Sequence, residues 1–93
     1  MPSTTVQDAL REGFSHHQSG RIEQAERIYR EVLARDQNNA PAWYLLGALA
    51  HQAGQSEVAS QMIERAIRLG MKSCEAYCNL GECYRSLGKH QEA

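Results

Sequence analysis

The sequence predicts an all-α fold, an α-solenoid of antiparallel helix pairs, on the basis of two observations. Six of the seven glycines fall into two columns that recur every 34 residues, namely Gly13, Gly47 and Gly81, and Gly20, Gly54 and Gly88. Glycine makes up about 7% of ordinary sequence, so the accidental probability of this register is on the order of 10⁻⁵. In addition, apolar residues between the glycines recur three and four positions apart, which is the spacing of one helix face.

The 34-residue interval divides the chain into repeats of two helices each. The repeats take up about residues 6–39, 40–73 and 74–93. We therefore expect about 2.7 repeats in one domain, residues 1–93, with the third repeat truncated. Because Ala93 takes a place in the first turn of a sixth helix, we expect a fragment that lacks about 14 residues of its third repeat.

Helix starts and ends are predicted from capping residues. Glycine adopts the left-handed conformation at a helix end without a Cβ penalty. The second glycine column therefore supplies the expected C-caps, Gly20, Gly54 and Gly88. Helices are expected to begin at residues whose side chains accept hydrogen bonds from the first turn, namely Thr5, Asn39, Ser56 and Ser73.

The first glycine column lies inside the first helix of each repeat, where Gly costs about 1 kcal/mol relative to Ala. That cost predicts a close contact between two helices at Gly13, Gly47 and Gly81. The expected partner surface is a column of small residues with the same interval, Ala25, Ala59 and Ala93. Trp43 is expected to be substantially buried.

The charge balance argues against nucleic acid as a partner. Ten Lys and Arg against eleven Asp and Glu leave a formal net charge of −1, so no basic surplus is present to neutralise a phosphate backbone. The chain does not open on a basic segment followed by an apolar run, and no apolar segment approaches membrane-spanning length. We expect a soluble, cytoplasmic chain without a membrane partner.

The residues that could carry chemistry do not form a recognisable reaction or metal centre. Cys74, Cys78 and Cys83 are four and five residues apart, so they do not converge and are expected to be small, reduced hydrophobes. No nucleophile elbow, glycine-rich phosphate loop or pair of catalytic carboxylates is present in the sequence. The sequence therefore predicts a protein that is not an enzyme and holds neither metal nor cofactor.

The repeat columns resemble the tetratricopeptide repeat (TPR) family. In the second repeat, the family's pattern corresponds to Trp43, Leu46, Gly47, Gly54, Ala59 and Ile63. In the third repeat it corresponds to Tyr77, Leu80, Gly81, Tyr84, Gly88 and Ala93. The first repeat departs most, since Ala9 and Glu12 replace the Trp and the Leu of the pattern. The resemblance implies a right-handed superhelical stack whose first helices line a concave face.

The resemblance also implies a scaffold without enzymatic activity that binds a peptide or protein segment on the concave face. The implied ligand-binding residues are Phe14, His17, Gln18, Tyr44, His51, Gln52, Asn79, Glu82 and Arg85. In a second interpretation, His17 and His51 are surface residues at helix ends.

An alternative function is that of a substrate-recognition or self-association arm of a larger enzyme. Residues 75–81, with Asn79 at the place of an asparagine ladder, are similar to repeats of O-linked N-acetylglucosamine transferase and of related bacterial TPR proteins. A glycosyltransferase-like or other transferase domain would then belong to the same protein.

The third repeat carries an apolar stripe that its own second helix does not cover. The stripe consists of Tyr77, Leu80, Tyr84 and Leu87. We expect this part of the chain either to fray after about residue 73 or to form a homodimer with a second copy.

Overall fold

The computed structural model describes residues 5–92, with the side chains of residues 5–88, and this part of the chain forms five α-helices. The helices are α1 (Val6–Gln18), α2 (Ile22–Arg35), α3 (Ala40–Gln52), α4 (Ser56–Arg68) and α5 (Cys74–Glu92). Each helix packs against the next one in the chain, and α3 also contacts α1 and α5. The predicted all-α solenoid is confirmed, and the first helices begin 34 residues apart at Val6, Ala40 and Cys74.

The turns between paired helices form at the predicted glycines. Gly20 and Gly54 have φ values of +82° and +84°, the left-handed conformation that favours glycine. A third left-handed glycine, Gly70 with φ +110°, follows α4 and was not among the predicted turns. The prediction of a C-cap at Gly88 is wrong, because α5 continues through it to Glu92. Glycine permits a turn but does not impose one, and no following helix packs back on α5 within the described residues.

Two of the predicted N-cap residues accept a capping hydrogen bond with their side chains. Thr5 Oγ1 accepts a hydrogen bond of 3.0 Å from the amide of Asp8, and Asn39 Oδ1 accepts one of 2.9 Å from the amide of Ala42. The prediction for Ser56 is wrong, because Ser56 is already helical and Gln55 precedes α4 without a side-chain cap. There the amide of Gln55 donates to the carbonyl of Ala50, which is 2.9 Å away, so the backbone closes the turn.

The glycines of the first column mark close contacts in the first two repeats, as predicted. A Cβ at Gly13 would lie 2.6 Å from Cε1 of Tyr29, and one at Gly47 would lie 2.7 Å from Cγ1 of Ile63. The partners at these contacts are thus bulky side chains, and not the expected alanine column. Of that column, Ala59 approaches Gly47 through its carbonyl oxygen, at 3.1 Å from the Cβ position.

The predicted contact at Gly81 is wrong. No atom lies within 4 Å of a Cβ placed there, and Gly81 is exposed. In α1 and α3 the second helix of the same repeat supplies the contact, whereas α5 has no such helix against it in the described part of the chain. Ala93, the expected small partner of Gly81, lies outside the described residues.

The interior consists of apolar clusters between neighbouring helices. The fully buried side chains with the largest volumes are Tyr29, Val32, Ile63 and Cys83. Trp43 is substantially buried, as expected, beside α2 and α4. There its Nε1 donates to the carbonyl of Gln37 at 2.8 Å and the guanidinium of Arg65 lies 5.4 Å from the ring centroid. None of the described helices is long and apolar enough to cross a membrane.

Candidate functional site

The nine residues predicted to bind a ligand all lie on the first helices of the repeats. Phe14, His17 and Gln18 belong to α1, Tyr44, His51 and Gln52 to α3, and Asn79, Glu82 and Arg85 to α5. Because α3 contacts both α1 and α5, side chains at equivalent positions of successive first helices come together. We call these nine residues the inner row.

One polar pair of the inner row connects α1 with α3. His17 Nε2 lies 2.7 Å from Gln52 Oε1, and with the amide oxygen as acceptor the imidazole donates through this nitrogen. The other ring nitrogen, Nδ1, is buried and has no hydrogen-bond partner among the described residues. Phe14, which is 42% exposed, meets the His17 ring edge to face at a centroid distance of 6.0 Å. This end of the inner row therefore combines an apolar ring with a fixed amide.

A second pair connects α3 with α5. Asn79 Nδ2 donates to the Tyr44 hydroxyl oxygen at 2.8 Å. Burial raises the pKa of Tyr44, the charge of Glu75 raises it further, and the hydrogen bond from Asn79 opposes them. Tyr44 is therefore a neutral phenol at physiological pH. Since Asn79 uses the oxygen as an acceptor, the Tyr44 O–H remains available to donate to a ligand.

His51 makes the third connection, which has two branches. Its Nε2 lies 3.5 Å from Glu82 Oε1, and its Nδ1 lies 3.6 Å from Cys83 Sγ. Burial raises the pKa of the Cys83 thiol, and the Glu82 charge raises it further, so the thiol remains protonated. In the tautomer that carries the proton on Nε2, His51 Nδ1 accepts from this thiol. The N–H on Nε2 then faces the carboxylate. Cys83 is fully buried, so this cysteine, histidine and carboxylate set joins two helices and does not present a nucleophile.

The remaining two residues of the inner row are placed apart from these pairs. Gln18 and Arg85 are exposed, and neither makes a side-chain hydrogen bond or ion pair within the described residues. Arg85 adds a positive charge to the helix that carries Glu82, so the inner row presents both signs of charge.

Cys83 is the residue of this site that sequence reasoning treated only as a small hydrophobe. Its burial agrees with that interpretation, whereas Cys74 and Cys78 are exposed. The contact with His51 spans 32 residues, so the pair falls outside the columns of the 34-residue interval and no signal in the sequence indicated it. Among the described residues, no group of three or more His, Cys, Asp or Glu side chains is arranged to hold a metal ion.

Comparison with known proteins identifies the repeats. Two family models, both described as tetratricopeptide repeat, match residues 16–80 and 75–93. The UDP-N-acetylglucosamine–peptide N-acetylglucosaminyltransferase of Caenorhabditis elegans is 33% identical over 91 residues. This match covers 98% of the chain but only 8% of that enzyme. Because it extends over nearly the whole chain, it does not test the similarity predicted for the third repeat in particular.

Solved structures show the same architecture. YrrB, a TPR protein with an unusual peptide-binding site, aligns with a TM-score of 0.87 at 22% identity, covering 97% of this chain and 46% of YrrB. MamA aligns with a TM-score of 0.82 at 27% identity, covering 95% of this chain and 52% of MamA. The chain thus spans about half the length of these two structures. With family models matched from residue 16 to residue 93 and a 34-residue helix-pair period, the chain belongs to the tetratricopeptide repeat family.

Proposed function

We propose that the chain binds an extended peptide or protein segment along the inner row, as a scaffold without catalytic activity. TPR domains are protein-interaction modules, and solenoids of this type bind partners on their concave surfaces. The observation that carries the proposal is that three polar pairs of the inner row connect α1 with α3 and α3 with α5. The whole described chain, as one TPR unit, then serves to present this surface.

The chemistry of the inner row favours a polypeptide as the ligand. The Tyr44 O–H and the amide nitrogen of Gln52 are donors that their interhelical contacts leave unused, and both suit backbone carbonyls. Phe14 offers an apolar contact, and Glu82 and Arg85 offer one charge of each sign. The pairs hold the side chains in place before binding, which lowers the entropy cost of ordering them. A mostly polar surface of this kind supports modest affinity.

A second candidate function is that of a substrate arm within a larger transferase. It is favoured by the 33% identity with a glycosyltransferase that, by its name, acts on peptides. In that case the inner row holds the polypeptide substrate while the chemistry takes place in another domain. The isolated chain is expected to bind acceptor peptides of such an enzyme and to transfer no sugar to them.

The proposal is tested by selecting ligands from a displayed library of random 12-residue peptides on the immobilised chain. We expect selected peptides to shift amide resonances of α1, α3 and α5. Tyr44→Phe should lower the affinity of the selected peptides about 5-fold to 10-fold, because it removes one hydrogen bond of about 1–1.5 kcal/mol. Val58→Ala on α4 is the matched control, since Val58 is also exposed but lies outside the inner row. Peptides that shift only α2 and α4 and are insensitive to Tyr44→Phe would overturn the proposal.

A further inference from the structure

A groove lies between α2 and α4, the second helices of the first two repeats, and we call it the α2–α4 groove. Over the described residues no Cα atom of α2 lies within 8 Å of one in α4, and α3 forms the floor between them. The floor residues Leu46, Leu49 and Ala53 lie about 140–180° around α3 from Tyr44. The groove and the inner row are therefore on opposite faces of α3.

Two adjoining cavities make up the α2–α4 groove, with volumes of about 130 and 300 Å³. Arg30, Leu46 and Met62 line both of them, so the cavities are continuous. Pockets for small-molecule ligands measure about 300–1,000 Å³, so these two cavities are at or below the lower limit. Their size suits single side chains of a protein partner.

The walls of the groove are mainly apolar. Ile22 and Val58 line the smaller cavity, and Leu33 and Trp43 line the larger one. Val58 is 39% exposed, which is unusual for a large apolar residue and is explained if a partner covers it. An extended segment would place its backbone N–H and C=O groups against these apolar walls without hydrogen-bond partners. An α-helix satisfies its own backbone, so the groove favours a helical occupant.

The length of the groove agrees with a short helix. From Trp43 to Ala53 its floor extends along α3 for about 15 Å, which is about three helical turns. A helix of this length offers one apolar stripe with side chains at positions i, i+4 and i+7. Such a stripe reaches from one cavity into the other.

The charges around the larger cavity favour an acidic partner. Arg30 is the charged residue of its lining, and the guanidinium of Arg65 lies 5.4 Å from the centroid of the Trp43 ring. Arg30 already pairs with Glu26 at 3.0 Å, beside the smaller cavity. Arg65 is exposed and has no carboxylate partner within the described residues. It can therefore take up a carboxylate that the partner brings.

We propose that the α2–α4 groove binds an amphipathic, acidic α-helix of a partner protein, with apolar side chains in both cavities and a carboxylate beside Arg65. This surface is separate from the inner row, so the chain can hold a peptide on one face and a helix on the other. The cavities are small, and the expected Kd is on the order of 10⁻⁵ to 10⁻³ M.

The proposal is tested by titrating the 93-residue chain with a hydrocarbon-stapled helical peptide of roughly 18 residues. The peptide carries leucines at positions i, i+4 and i+7 and glutamates beside the last leucine. We expect it to shift amide resonances of α2 and α4. A peptide of the same composition with leucines spread around the helix should bind at least about 10-fold more weakly. Equal affinity of the two peptides, or shifts confined to the inner row, overturns the proposal.

Charge reversal tests the role of Arg65. Arg65→Glu should weaken binding of the glutamate peptide at least about 10-fold and strengthen binding of a peptide with lysines in place of the glutamates. Arg68→Glu is the matched control, since Arg68 is also exposed on α4 but lines neither cavity. An Arg65→Glu chain that binds both peptides with wild-type affinity overturns the proposal.

Val58→Asn tests the apolar wall and separates the groove from the inner row. It should weaken binding of the stapled peptide about 5-fold to 10-fold, because it places a polar group against an apolar side chain. Tyr44→Phe changes the inner row alone and should leave this affinity unchanged. The opposite result, in which Tyr44→Phe weakens binding and Val58→Asn does not, assigns the peptide to the inner row and overturns the proposal.

Discussion

Tyr29 shows how a buried polar atom is tolerated in a small core. Its side chain is fully buried against Gly13, and its hydroxyl has no hydrogen-bond partner among the described residues. Burial raises the pKa of Tyr29 to about 12 from an ordinary value of 10. The ring fills the space that the glycine leaves, and the unpaired hydroxyl is the cost of using tyrosine at this position.

Tyr29→Phe is expected to leave the free energy of unfolding at pH 7 unchanged or to raise it by up to about 1 kcal/mol, because no hydrogen bond is lost and an unpaired polar atom is removed. The pKa of Tyr29 is higher in the folded state than in the unfolded state, so above pH 10 the unfolded chain ionises first. The free energy of unfolding of the wild type is therefore unaffected by Tyr29 below pH 10 and falls between pH 10 and 12. The expected loss is about 1.4 kcal/mol per pH unit in that window.

Urea unfolding of both proteins at pH 9 and pH 11 measures this difference. The phenylalanine variant is the control for every other group that titrates at alkaline pH. Parallel loss of stability in the two proteins would show that Tyr29 ionises freely in the folded state.

The three thiols are expected to differ in reactivity because they differ in exposure. Cys74 and Cys78 are exposed, whereas Cys83 is fully buried and its pKa is raised by burial. At pH 8 a thiol reagent should modify two cysteines at once and the third at least about 100-fold more slowly, after local opening. The absorbance of the chromophore that the reagent releases, followed over time, measures the three rates. Cys83→Ala is the control, because it should remove the slow phase. Three equal rates contradict the burial of Cys83.

At the level of helices, equivalent glycines have different effects because their neighbours differ. Gly47→Ala forces a Cβ to 2.7 Å from Ile63 Cγ1 and 3.1 Å from the Ala59 carbonyl oxygen, so it should lower the free energy of unfolding by about 1–3 kcal/mol. Gly81→Ala meets no atom and should raise it by up to about 1 kcal/mol through helix propensity. Thermal unfolding measures both effects. Equal effects of the two substitutions contradict the assigned contacts.

The second glycine column supplies another pair of Gly→Ala substitutions to compare. Gly54 has φ +84°, so Gly54→Ala should destabilise the chain by about 1 kcal/mol although no atom obstructs the new Cβ. Gly88 lies inside α5, so Gly88→Ala should be stabilising by a similar amount. A destabilising Gly88→Ala, measured by the same thermal unfolding, would indicate that the chain turns at Gly88 in solution.

For the whole stack, stability is a sum over neighbouring helices, because each element of a solenoid contacts only its neighbours. Helix α3 contacts α1, α2, α4 and α5, whereas α5 contacts only α3 and α4 within the described residues. Amides of residues 76–87 should therefore exchange with solvent sooner than those of residues 43–52. Hydrogen exchange followed by NMR checks this difference. Equal protection of the two segments would contradict the idea that stability depends on the number of neighbouring helices.

The sequence by itself determined the features that depend on residues close together in the chain. The 34-residue period, the helical spacing of apolar residues and the glycines at the first two turns set the number, starts and direction of the helices. They also placed all nine inner-row residues on first helices. These properties follow from backbone conformation and from side-chain periodicity, which neighbouring residues decide.

Only the tertiary structure decided what depends on the element packed opposite. Gly47 and Gly81 are equivalent in the sequence, yet one is filled by Ile63 and the other is open. The link from His51 to Cys83 likewise has no local cause. A repeat pattern specifies which surface a helix offers, but whether that surface is covered depends on the presence of another helix, and this is a property of the assembled stack.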